Sequence, residues 1–150
     1  MYGIEVWKII GDATAWFVLT GKPTTYKPPR FCKNKGGNVY TLHDKSMKSA
    51  REVLAEQTTA PPLRDVPLAV FIELYFRRPK SHFKKGVLRT DAPKYVTKTP
   101  DVDNCIKFVL DVLQPKVIAD DKIVIKVVAE KKWCRSASAE CTTIELLVRV

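Results

Sequence analysis

The sequence predicts an α+β fold: one domain over residues 1–150, with a mixed or antiparallel sheet packed against two main helices. Three observations predict it. Val66 to Arg77 places Val66, Leu68, Val70, Ile72, Leu74 and Phe76 on one face of an extended segment. Two segments, one from Asp44 to about Thr59 and one from Val102 to Gln114, repeat apolar residues at helical spacing. Two β-rich segments then close the chain, giving the order β, α, β, α, β, β. No internal repeat and no strong domain boundary interrupts it.

Each element has a local cause. Ala13 to Thr20 is aromatic and β-branched, and Gly21 and Pro23 end it as a strand. Residues 22 to 37, rich in proline, glycine and basic side chains, read as a surface loop, with Val39 to Leu42 a short strand. In the first helix Met47, Ala50, Leu54 and Ala55 recur, Asp44 is available as N-cap, and Pro61-Pro62 lies beyond the end. Phe71 and Tyr75 occupy the second face of the long strand, so both of its faces are partly covered. Pro79, Gly86 and Pro93 make residues 77 to 98 a loop. The second helix stops before Pro115. Strands are expected near Lys122 to Trp133 and Thr142 to Val150, with a turn around Ser136 to Ala139.

Composition narrows the function classes. The 26 Lys and Arg against 16 Asp and Glu give a formal charge of +10, the footprint of a protein that meets a polyanion. An apolar fraction of 45% supports a packed core rather than a disordered chain. Cys32, Cys105, Cys134 and Cys141 form no C-x-x-C pair and, with His43 and His82, no zinc spacing. A reduced, intracellular protein is expected. The longest apolar run, Leu68 to Ile72, is far too short for a bilayer, and no signal peptide is evident. No membrane partner and no organic cofactor are expected.

Against the basic background stands one acidic cluster, Pro100-Asp101-Val102-Asp103-Asn104-Cys105-Ile106-Lys107, with Asp120-Asp121 following. On the second helix Val102, Cys105, Ile106, Val109, Leu110 and Leu113 form the apolar stripe; Asp103, Asn104, Lys107 and Asp111 lie opposite. Carboxylate oxygens suit Mg²⁺, which takes one or two of them and fills its shell with water and phosphate. A lysine one turn on can offset charge developing on a phosphate. The same residues also suit a plainer role, with Asp101 capping the helix and Asp103, Lys107 and Asp111 forming a surface ion-pair ladder. The acidic turn before a strand is expected to place Asp120 and Asp121 where a helix start can face them.

The pattern Asp101-x-Asp103-Asn104-x-x-Lys107, then Phe108-Val109-Leu110-Asp111-x-Leu113, then Asp120-Asp121 before Ile123-Val124, resembles the RusA-type Holliday junction resolvases. The clear match covers about residues 100 to 131; residues 22 to 40 match little. The resemblance implies a RusA-like domain acting as a Mg²⁺-dependent homodimeric endonuclease that nicks a four-way DNA junction symmetrically, with Mn²⁺ able to substitute. It implies Asp101, Asp103 and Asp121 as metal ligands, Asp120 as a weaker candidate, and Lys107 in catalysis.

Eight cations, Arg77, Arg78, Lys80, Lys84, Lys85, Arg89, Lys94 and Lys98, are candidate DNA contacts, interleaved with Phe76, Phe83 and Tyr95. Lys22, Lys27, Arg30, Lys33 and Lys35 form a second basic patch. Two other readings compete. One is a nuclease of the P-D…(D/E)-x-K pattern that joins Asp101 to Glu130 and Lys132. The other is a non-catalytic basic nucleic-acid-binding protein whose acids are structural.

Overall fold

A computed structural model describes residues 7–9, 12–42, 45–136 and 139–149. Its main sheet has five strands in the order β1-β2-β9-β5-β8. They are β1 (Trp7–Ile9), β2 (Asp12–Thr20), β5 (Leu68–Phe76), β8 (Val124–Trp133) and β9 (Cys141–Val148). The pairs β1–β2, β2–β9 and β9–β5 are antiparallel, and β5–β8 is parallel, so the sheet is mixed. Helices α1 (Lys45–Gln57) and α2 (Val102–Leu113) share one core with it. The expected α+β domain with two helices is therefore the architecture observed. Asp44, the expected cap of α1, and residues 137–138 of the expected last turn lie outside the described residues.

Strand parity explains which face the helices cover. Phe17, Ile72 and Ile144 lie in one row of the sheet and are all buried. With Leu68, Val70, Leu74 and Leu146 they meet Leu54 of α1 and Cys105, Phe108, Val109, Val112 and Leu113 of α2. The stripe expected on α2 is thus rotated slightly: Phe108 and Val112 are buried, whereas Val102 is 37% exposed. The reason is that the helix seats against both α1 and the sheet, so its covered arc is wider than a single line.

The loop expected over residues 22 to 37 contains a strand. β3 (Arg30–Lys33) pairs with β4 (Val39–Leu42) as a separate hairpin, and Asn34 closes it by accepting from the backbone of Gly36 and Asn38. Basic and proline-rich composition hid β3, whose pairing is supplied by the partner strand. Residues 77 to 98 remain mostly loop, with a 3-10 turn at Lys80–His82 and a small hairpin of β6 (Phe83–Lys84) and β7 (Val87–Leu88). Lys85 and Gly86 both adopt positive φ at its tip, the requirement of a tight two-residue connection. Among the described residues no helix is long and apolar enough to cross a membrane.

One connection decides the geometry of the site. β5 and β8 are adjacent and parallel, and the chain passes between them through α2. In such a crossover the helix runs back along the sheet. The start of α2 therefore sits at the carboxyl end of β5, and the start of β8 sits at the opposite end.

Candidate active site

Asp101 is the residue at the N-cap position of α2, in extended conformation, and its carbonyl accepts the first helical bond from Cys105. Its carboxylate makes no capping hydrogen bond. Asp103 follows in the first helical turn. Both residues are exposed, and among the described residues neither carboxylate has an ion-pair or hydrogen-bond partner. The expected ladder from Asp103 through Lys107 to Asp111 does not form. Lys107 instead places its Nζ 4.2 Å from the centre of the Tyr26 ring. Two unengaged hard oxygen donors beside open solvent fit a Mg²⁺ ion, which needs room for water and phosphate. An additional favourable term is the helix start itself, whose partial positive charge suits a phosphate.

Three elements hold this corner. The backbone N–H of Tyr26 donates to the Asn104 carbonyl at 3.0 Å, which ties the segment after β2 onto the first turn of α2. That segment and the approach to the helix enclose a recess of about 410 Å³ between Lys22, Thr24, Lys27, Thr99 and Pro100. A larger cavity, about 500 Å³, lies further along α2 beside Arg51, Phe108 and Asp111, away from the acid pair. From the sheet side, Lys131 Nζ donates to the carbonyls of Lys98 and Pro100, both at 2.7 Å. The sequence pattern singles out neither Tyr26 nor Lys131 for this corner. Tyr26 sits in a loop with no periodicity to mark it. Lys131 carried a usable signal: it shares strand parity with Val127, Ala129 and Trp133, which pack toward the core.

The second acidic element stands elsewhere. Asp120 caps the 3-10 turn Asp121–Ile123 by accepting from Lys122 N at 3.0 Å, and its pKa is lowered chiefly by that bond. Asp121 is exposed at the head of β8. The paired register runs from Val124 opposite Leu68 to Lys132 opposite Tyr75. At ~3.3 Å per residue that is about 26 Å of strand between the two ends. Asp101 and Asp103 lie at the Lys132 end and Asp121 at the other, so the expectation that the acidic turn faces the helix start within one chain is corrected. Among the described residues no three His, Cys, Asp or Glu groups converge. The cause is the crossover direction, which no spacing in the sequence reports.

The pairing of Asp101 with Glu130 and Lys132 is also not assembled. Strand alternation turns both away from α2, to the open sheet face. There Lys132 Nζ pairs with Glu73 at 2.6 Å and Glu130 at 2.8 Å. The Lys132 pKa is raised by these carboxylates, Glu130 foremost, and that of Glu73 is lowered by Lys132.

Of the eight candidate DNA-contacting cations, Arg78 faces inward. Its Nε donates to the Cys134 carbonyl at 2.7 Å and its Nη1 to the Pro93 carbonyl at 2.8 Å, with His82 Nδ1 at 3.3 Å. This guanidinium rivets the loop to the end of β8. Arg89 pairs with Asp91 within the loop. Arg77, Lys80, Lys84, Lys85, Lys94 and Lys98 are exposed, and Lys94 lies over the Tyr95 ring.

A protein-family model, described as Endodeoxyribonuclease RusA, matches residues 20–144. The match extends far beyond the acidic cluster and takes in residues 22 to 40, where little similarity was expected. No curated protein matches the chain.

Proposed function

The chain belongs to the RusA family of endodeoxyribonucleases, and from that premise we propose a Mg²⁺-dependent resolvase of four-way DNA junctions. It acts as a homodimer that introduces paired, symmetric nicks during DNA recombination and repair. One observation carries the reading: Asp101 and Asp103 stand exposed at the head of α2, neither capping the helix nor paired with a cation.

In this reading Asp101 and Asp103 hold the metal together with Asp121. Asp120 is the weaker candidate, because its carboxylate already caps its own turn. Mg²⁺ held there, for which Mn²⁺ could substitute, would supply Lewis acidity to the scissile phosphate and to the attacking water. Lys107, one helical turn from Asp103, offsets charge that builds on the phosphate oxygens. Lys22 and Lys27, at the recess beside Pro100, and the exposed cations of residues 77–98 contact the DNA backbone.

Dimerisation follows from the need to complete the ligand set. With Asp121 about 26 Å along the sheet from the acid pair, a second copy is its source. A symmetric dimer then carries two equivalent sites, as two incisions on a nearly two-fold junction require.

The test is cleavage of a labelled synthetic four-way junction, with linear duplex as control, in the presence and absence of Mg²⁺. Paired Mg²⁺-dependent nicks confined to the junction are expected. Asp103→Asn should lower cleavage by about 100-fold or more and leave junction binding intact. Tight, salt-sensitive binding with no nicks under Mg²⁺ or Mn²⁺ would transfer the chain to the class of non-catalytic binders.

A further inference from the structure

We propose that Lys131 is a positioning residue for the acidic site: by holding the Lys98 and Pro100 carbonyls it fixes how Asp101 is presented. The inference rests on the endonuclease reading above. Lys131 grips the approach to α2 at three points. Its own carbonyl accepts from Val96 N at 3.0 Å, and its ammonium donates to the carbonyls of Lys98 and Pro100. The contacts fall on alternate residues, 96, 98 and 100, so the strand end acts as a rail along which the segment is laid. Charge-assisted bonds of this length are roughly twice as strong as neutral ones. The last of them is made by the residue immediately before Asp101.

An apolar side chain would suit this position, between Ala129 and Trp133 on the core-facing side of β8. It would leave both carbonyls to water and the segment free to swing. The ammonium also carries its positive charge to the carbonyl of the residue before Asp101. Lys131 touches neither substrate nor reacting atoms in this scheme; it acts through Asp101.

The experiment compares the full chain with Lys131→Met, which keeps length and loses the ammonium. Mn²⁺ is the probe, its uptake read by electron paramagnetic resonance. Junction affinity in Ca²⁺, the Mg²⁺ needed for half-maximal cleavage, and the urea midpoint are measured alongside. Mn²⁺ affinity is expected to fall about 10- to 100-fold, the Mg²⁺ requirement to rise in step, and junction affinity to stay within about twofold. A variant that takes up Mn²⁺ as the wild type does, and loses only urea resistance, would overturn the proposal and leave Lys131 a structural clamp. Should Lys131→Met fail to fold, Lys131→Gln, which keeps one donor, carries the same comparison. A wild-type chain that takes up Mn²⁺ and cuts the junction, beside a variant that matches it, sinks this inference alone. A wild-type chain that does neither sinks the endonuclease reading and this inference with it.

Discussion

At the scale of single residues, the site is defined by what its side chains leave undone. An aspartate at an N-cap position ordinarily accepts from the first-turn N–H groups, yet the Asp101 carboxylate does not. Lys107 leaves its acidic neighbours and lies over Tyr26 instead. A cation over an aromatic face gains about 0.5–1 kcal/mol at an exposed position, enough to bias where the ammonium points. Tyr26→Leu is therefore expected to lower turnover about 2- to 10-fold with junction affinity unchanged. Tyr26→Phe, which keeps the ring, should retain turnover. Single-turnover cleavage alongside a binding titration separates the two effects, and equal losses in both variants would remove the ring from the account.

Among the elements, the loop of residues 77–98 combines two roles that composition presents as one. Arg78 is engaged with Cys134, Pro93 and His82, whereas Lys84 and Lys85 stand out at the tip of a small hairpin. Replacing Lys84 and Lys85 together by alanine should weaken junction binding and reduce the log–log salt slope by about one for each phosphate no longer neutralised. An unchanged slope would place the DNA elsewhere. The inner anchor predicts a pH effect. The His82 pKa lies below its ordinary 6.5, pushed down first by desolvation and then by Arg78, Lys98 and Arg89. A histidine that resists protonation when folded binds more protons when unfolded, so its contribution is present above pH 6.5 and declines as pH falls toward its folded value. His82 also packs edge-on against Trp133. His82→Phe keeps that contact, and its urea midpoint should fall less between pH 7.5 and 5.5 than that of the wild type.

For the whole molecule, the crossover separates the two acidic elements, and the proposed dimer makes a testable claim about them: each site is divided between copies. Asp101 and Asp103 belong to one end of the sheet and Asp121 to the other. Two inactive variants can therefore restore each other. Asp103→Asn retains Asp121, and Asp121→Asn retains Asp101 and Asp103. A heterodimer of the two has one intact site and one doubly impaired site. Co-expression with different affinity tags should yield a heterodimer that nicks one junction strand per binding event, while each homodimer is inactive. If the heterodimer is as inactive as its parents, the site is not shared between subunits.

The helices, the long strand and the head of α2 were legible because each is set by local spacing. Helical periodicity places Cys105 and Val109 inward and Asp103 and Lys107 outward wherever the helix ends up, and alternation does the same for β5. The chemistry of two carboxylates and a lysine on one helix start was legible for the same reason. The hairpin strand β3 was not, since its hydrogen bonds come from β4 and its composition resembles a loop. Arg78 and Lys131 read as members of basic runs until the fold turned one toward the Cys134 carbonyl and the other toward Pro100. The distance from Asp121 to the acid pair was decided only by the tertiary structure. Eighteen positions separate Asp103 from Asp121 in the chain, but their separation in space depends on the path between them. That path follows a parallel crossover, which carries the chain back the length of the sheet before β8 begins. Local propensity specifies what each segment becomes; the direction in which segments cross is set by packing against partners far along the chain.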